Sequence, residues 1–227
     1  AKGSGMIAPN MGTMLSYIFI EASLNRNILN KLLKINNEDS FNSISVDGDM
    51  STNDTVMMFA IGNIILKNIG VKTKNFKLLA NAARKIMQSL AKQIVSDGEG
   101  ISKLIEVNVF NAYNKAQAKK VAFSIAESLL VKTAICGEDA NWGRVIMAIG
   151  KTLEKIDPDK LSLDFGNNII IKNGKVSKKY DEKKINNYMK NKIIRINLDL
   201  RLGSYNKIVW SSDLTKKYIT INADYRS

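Results

Sequence analysis

Apolar residues recur along this chain at two spacings, and the switches between them mark out alternating strands and helices. Residues 13–20, Thr-Met-Leu-Ser-Tyr-Ile-Phe-Ile, are rich in β-branched and aromatic side chains and predict a strand. Residues 23–35 place Leu24, Ile28, Leu32 and Ile35 on one stripe, which predicts an amphipathic helix. Phe41, Ile44 and Val46 predict a short strand ending in the turn Asp47-Gly-Asp49. Ser51-Thr-Asn-Asp54 is dense in N-capping residues and predicts a helix over 55–62. The clearest helical period covers 75–95, with Leu78, Leu79, Ala82, Ile86, Leu90 and Ile94 as its apolar stripe. That helix runs out at Asp97-Gly-Glu-Gly100, where two glycines around one carboxylate predict a sharp bend.

The pattern continues as a strand over 102–110, a helix over 115–130, a strand over 131–136 and a helix over 144–156. Asp157-Pro158-Asp159-Lys160 predicts a boundary between subdomains. Asn173-Gly174, flanked by apolar runs, predicts a hairpin with a type I′ turn. A short polar helix over 181–191 follows, then an alternating strand over 192–202 and strands over 207–210 and 218–222. Strands and helices mixed in this order predict the α/β (α+β) class.

Composition narrows the function. The 227 residues suffice for a sizeable core. No apolar run reaches the roughly 18–20 residues of a membrane span. Cys136 is the only cysteine, which excludes an internal disulfide and a thiolate metal cluster. With no export signal in view, it fits a cytoplasmic protein. The net charge of +13 raises nucleic-acid binding as a function class. Only six of the 34 basic residues are arginines, however, and no recognition motif accompanies them. The lysines read as a solvated surface. A calcium loop at 47–54 lacks a closing glutamate in register.

The chain contains no histidine, so no Ser-His-Asp, Cys-His or histidine-ligated metal site can be built within it. A hydroxyl nucleophile must then find another base, and the α-amino group of an N-terminal residue is one answer, with a reference pKa of about 7.7–8.0. Thr13, just after a glycine and at the lip of a strand, fits this role if the Gly12–Thr13 bond is cut. It reads equally as the ordinary first residue of a strand.

The run Lys2-Gly-Ser-Gly-Met-Ile-Ala-Pro-Asn-Met-Gly-Thr13-Met-Leu resembles the self-cleavage segment of the arginine-biosynthesis ornithine acetyltransferases, also called glutamate N-acetyltransferases. Ser45-Val-Asp-Gly-Asp-Met-Ser-Thr-Asn-Asp-Thr55, Asp97-Gly-Glu-Gly100, Gly137-Glu-Asp-Ala-Asn-Trp-Gly-Arg144 and Tyr218-Ile-Thr-Ile-Asn-Ala-Asp-Tyr-Arg-Ser227 resemble the same family, in its order. The resemblance implies a layered α-β-β-α sandwich of the self-processing type with a smaller C-terminal subdomain. Residues 1–12 would be the tail of an α chain, 13–157 the nucleophile-bearing part of a β chain, and 158–227 a part returning to the active site. Most of the α chain would lie upstream, leaving this chain a fragment.

The implied activity transfers an acetyl group from N-acetylornithine to glutamate through acetyl-Thr13, after self-cleavage between Gly12 and Thr13. It needs no cofactor, with acetyl-CoA an optional co-substrate, and implies an α2β2 assembly, with neither nucleic acid nor membrane as a partner. Carried over residue by residue, the substrate-binding positions are Lys2, Thr13, Glu99, Asn222 and Ser227. This chain departs from the family at Ala140, usually proline, at Ser211-Ser212, often Gly-Cys, and at Gly12, more often alanine. Glu138, Asp139 and Arg144 are expected to buttress a turn. The competing readings are a self-processing aminopeptidase of related fold, which normally carries serine, and an inactive fragment that only binds.

Overall fold

The computed structural model describes residues 1–8, 14–50, 54–67 and 69–224. Backbone contacts divide the chain into two units, Ala1–Asp97 and Gly98–Ser227. The expected 157/158 boundary falls within the second.

In the first unit, β1 (Leu15–Ile20) is followed by α1 (Arg26–Glu38) and the two-residue strand β2 (Ile44–Ser45). Then come β3 (Thr55–Ala60) and the long α2 (Lys74–Ser96). Asn25 caps α1 by accepting the Ile28 N–H, and Thr73 caps α2 by accepting that of Phe76, so both helices start where side-chain oxygens replace missing acceptors. β1 and β3 pair in parallel, Ile18 opposite Met58 and Phe19 opposite Phe59. Ile20 and Met58 pack with Ile28, Leu32, Phe76 and Ala80, while Phe19 and Phe59 stack on the open face with ring centroids 5.1 Å apart.

Two expectations fail in this unit. Residues 55–62 begin as a strand, because Thr55 to Ala60 are taken up by β1 along their whole length. In α2 the buried stripe is Phe76, Ala80, Ala83, Met87, Ala91 and Ile94. Leu78 and Ile86 of the expected stripe are 59% and 54% exposed.

The second unit runs β4 (Leu104–Ala112), α3 (Lys115–Ala126), α4 (Leu129–Cys136) and α5 (Trp142–Gly150). It continues as β5 (Ser162–Phe165), β6 (Asn168–Lys172), β7 (Lys175–Val176), α6 (Glu182–Tyr188), β8 (Ile193–Asp199), β9 (Tyr205–Ser212) and α7 (Lys216–Asp224). Its strands lie in the order β9-β4-β8-β5-β6-β7, with β4 parallel to β8 and antiparallel to β9. Ile105, Val107 and Val109 of β4 and Ile194, Ile196 and Leu198 of β8 pack with Val121, Ile125, Val145 and Ile149 of the helices in one core. The hairpin forms as expected: Asn173 and Gly174 both have positive φ, 51° and 73°, which a type I′ turn demands.

Two short apolar runs differ from expectation. Residues 131–136 lie in α4, capped by Ser128, whose hydroxyl accepts the Val131 N–H. Residues 218–222 lie in α7, where the Thr215 hydroxyl accepts the Tyr218 N–H at 3.2 Å. In both, a capping hydroxyl outweighs β-branched composition. The mixed α/β class itself stands.

Candidate active site

Gly12, Thr13 and Ser227 lie outside the described residues, but both flanks of the expected cleavage segment are tied down. Upstream, the Asp47 carboxylate accepts the N–H groups of Met6 at 2.8 Å and Ile7 at 3.0 Å, one on each oxygen. The Ile7 carbonyl in turn accepts the Val46 N–H at 2.7 Å. Downstream, Asp54 Oδ1 accepts the Met14 N–H at 2.5 Å, and the Met14 carbonyl accepts that of Thr55 at 2.9 Å. Lys2 forms an antiparallel bridge to Leu15, with N–H to carbonyl distances of 2.8 and 3.0 Å. Backbone pairing thus sets Lys2 beside the strand that follows Thr13.

Asp54 is buried, and among the described residues its Oδ2 has no hydrogen-bond partner. Burial pushes its carboxyl above the ordinary value, with the Met14 hydrogen bond pulling the other way. It lines a cavity of about 340 Å³ whose walls include Ile7, Met14, Lys34, Asn37 and Phe41.

In the second unit two expected substrate-binding residues meet. Asn222 Nδ2, on α7, donates to Glu99 Oε2 at 3.1 Å and to the Tyr218 carbonyl at 3.0 Å. The bend that carries Glu99 is held on its downstream side. The Thr215 hydroxyl donates to the Gly100 carbonyl at 2.5 Å. Asp213 accepts the N–H groups of Ser102 and Lys103 at 2.8 and 3.0 Å, and also the Ser102 hydroxyl. Gly100 has φ +64°, and a Cβ there would stand 2.5 Å from the Tyr218 nitrogen. The second glycine of the motif is therefore what lets α7 lie against the bend.

Residue-type reasoning missed Asp47, Asp54 and Asp213. The first two look like turn and cap residues, yet their acceptor oxygens serve amides about 40 positions away in sequence. The other polar candidates are structural. Glu138 pairs with the buried Lys103 ammonium at 3.0 Å, and Arg144 donates to the Leu130 carbonyl at 2.8 Å, joining α5 to α4. Cys136 is half-buried and its thiol is pushed up, chiefly by burial, so it stays protonated. At the departures Ser211 and Ser212, both hydroxyls lie within 3.4 Å of the buried Lys132 ammonium. Among the described residues no cluster of carboxylates and thiols could hold a metal ion.

Comparison with known proteins brings these features together. The family model described as the ArgJ family matches residues 1–227. The arginine biosynthesis bifunctional protein ArgJ of Bartonella henselae is 49% identical over 228 residues, covering all of this chain and 56% of that protein. Its counterpart in Brucella melitensis is 46% identical over 231 residues, with the same coverage. The chain therefore spans about half the length of these curated relatives. The crystal structure of arginine biosynthesis bifunctional protein ArgJ from Bacillus halodurans superposes with a TM-score of 0.87 at 36% identity, covering 94% of this chain and all of that one. On a match that runs from its first residue to its last, the chain belongs to the ArgJ family.

Proposed function

We propose that this chain, completed by the upstream part that its relatives carry, transfers an acetyl group from N-acetylornithine to glutamate in arginine biosynthesis. The observation that carries the reading is the double anchorage of residues 6–14: carboxylates of one motif hold the backbone on either side of Gly12–Thr13. In the precursor the Thr13 hydroxyl oxygen attacks the Gly12 carbonyl carbon. The C–N bond breaks, an ester forms, and the nitrogen becomes the free amine of Thr13. Water then opens the ester, leaving Gly12 as a carboxylate. In the mature enzyme the Thr13 oxygen attacks the acetyl carbonyl while its amine takes the hydroxyl proton and passes it to the departing ornithine nitrogen. The glutamate amine attacks the acetyl-Thr13 ester and regenerates the hydroxyl. Acetyl-CoA can load the same ester, and no other cofactor enters the scheme.

Lys2 supplies a positive charge for a substrate carboxylate. Glu99 supplies a negative charge for a substrate ammonium, with Asn222 orienting it and Ser227 a further substrate-binding residue. Glu99→Gln tests this role well, because the new amide oxygen can still accept from Asn222 and only the charge is lost. The KM for acetylornithine is expected to rise roughly 10- to 100-fold, the worth of one charge-assisted hydrogen bond. Unchanged kinetics would remove Glu99 from the site.

The first unit also supports a partner chain. Parallel strands are normally covered on both faces, and two strands alone are too few to stand free. Yet Phe19 is 61% exposed on the open face of β1, and α2 leaves Leu78 and Ile86 in solvent on a second apolar side. The α chain of the same precursor is the natural cover, within an α2β2 assembly. No helix among the described residues is long and apolar enough to cross a membrane.

Expressing the full-length precursor and reading the N-termini of its products by mass spectrometry tests the central claim. One new N-terminus, at Thr13, is expected. Measuring acetyl transfer beside peptide hydrolysis separates this activity from that of a self-processing aminopeptidase.

A further inference from the structure

Asp54 has two oxygens with different fates. Oδ1 takes the Met14 N–H in a short, charge-assisted contact, anchoring the Met14 amide. Oδ2 is buried beside it with no donor among the described residues. A buried carboxylate oxygen left unpaired is costly and rare, and it calls for a donor that arrives at some stage of the protein's life. The anchored amide belongs to the residue next to the cleavage bond, and three covalent bonds separate the Met14 nitrogen from the Thr13 nitrogen. Cleavage between Gly12 and Thr13 turns the same nitrogen into an ammonium with new donors.

We propose that Asp54 is a positioning residue for the N-terminal nucleophile. Oδ1 holds the Thr13–Met14 peptide for self-cleavage, and Oδ2 receives an N–H of the newly formed α-amino group, orienting the base toward the Thr13 hydroxyl. The proposal rests on the acetyltransferase reading above. It also accounts for an acidic residue at a position where asparagine would cap or turn the chain as well. Charge chemistry around Asp54 is sparse. Lys34 of α1 is the only other charged side chain lining its cavity among the described residues, and its charge is the same in every variant below.

The two oxygens separate experimentally in the full-length precursor. Asp54→Ala removes both and is expected to slow self-cleavage roughly 10- to 100-fold, as misplacement of a reacting group does. Asp54→Asn keeps an oxygen for Met14, so it should cleave, but it removes the negative charge beside the amine. A neighbouring carboxylate stabilises the ammonium and raises its pKa. Activity needs the neutral amine, so kcat/KM climbs with pH through that pKa. In Asp54→Asn this limb is expected to move to lower pH by about one unit, as for loss of an opposite charge within 4–6 Å. Slow cleavage in Asp54→Ala with an unmoved limb in Asp54→Asn would reduce Asp54 to a strut and overturn the proposal. Wild-type cleavage in both variants with an unmoved limb would overturn it as well, leaving the acetyltransferase reading intact. That reading fails separately if a Thr13→Ala precursor still cleaves and turns over. Thermal melting of both variants identifies any loss of fold, and the isosteric Asp54→Asn carries the test if Asp54→Ala does not fold.

Discussion

Thr13→Ala in the full-length precursor is expected to leave a single uncut chain and to abolish acetyl transfer. The chain contains no imidazole, and in the mechanism proposed above the hydroxyl and the α-amine of Thr13 supply the attacking oxygen and the proton acceptor together. Removing the hydroxyl removes the attack on the Gly12 carbonyl. The amine is then never released, and two functions vanish with one atom. Loss of the nucleophile in a comparable acyl-transfer site costs about 10⁶ in turnover. Here the loss should reach the detection limit, since no mature chain forms. Denaturing electrophoresis and intact mass report the first effect, and acetylornithine-dependent acetylation of glutamate reports the second. Normal turnover with an unbroken Gly12–Thr13 bond would refute the mechanism. Thr13→Ser should restore cleavage, because a hydroxyl returns to the same carbon.

Gly100→Ala is expected to damage the second unit severely. The residue has φ +64°, a conformation that costs an alanine about 1–2 kcal/mol. Its new methyl would also stand 2.5 Å from the Tyr218 nitrogen and 2.8 Å from the Lys217 carbonyl carbon, both backbone atoms of α7. Backbone cannot step aside as a flexible side chain can, so either the bend opens or α7 shifts, at a further ~1–3 kcal/mol. Melting of the assembled enzyme should fall by roughly 5–15 °C. Because α7 carries Asn222, its contact with Glu99 is lost in the same movement, and KM for acetylornithine should rise beyond the effect of Glu99→Gln. Gly150→Ala is the control: among the described residues nothing lies within 4 Å of the place its methyl would occupy at the end of α5. It is expected to leave both quantities unchanged or to raise the melting point slightly.

Where long periodic segments exist, the pattern was legible. Residues 75–95 form one helix, and 192–202 contain a clean strand, because many turns or alternations vote together. The side that α2 buries was not legible. Its apolar residues cover more than one stripe, and the choice of Phe76, Ala80 and Met87 over Leu78 and Ile86 depends on what packs against it. Short apolar runs failed in both directions. Thr55 to Ala60 carries no charge and no breaker, so period alone cannot tell a buried strand from a helix, and pairing with β1 decides. Residues 131–136 and 218–222 have strand-like composition but sit behind Ser128 and Thr215, whose hydroxyls accept the first free amides of a helix.

The candidate site divides in the same way. Thr13 could be offered from residue type, since a missing imidazole is a property of the text itself, whereas Glu99 and Asn222 were named only through the resemblance of their motifs to the family. That Glu99 and Asn222 touch, 123 positions apart, belongs to the folded chain. So do the roles of Asp47 and Asp54, whose oxygens look locally like turn and cap acceptors but serve amides across the first unit.

Taken by itself, the sequence pointed to the family and the mixed α/β class, showed a chain without histidine, and offered Thr13 as the candidate nucleophile. Only the tertiary structure decided which short runs became strands, which face of α2 was buried and which carboxylates gripped the cleavage segment. The reason is one of range. Helical period, caps and composition act within a few residues, whereas strand pairing and the hydrogen bonds of buried carboxylates join distant segments whose affinity no local pattern records.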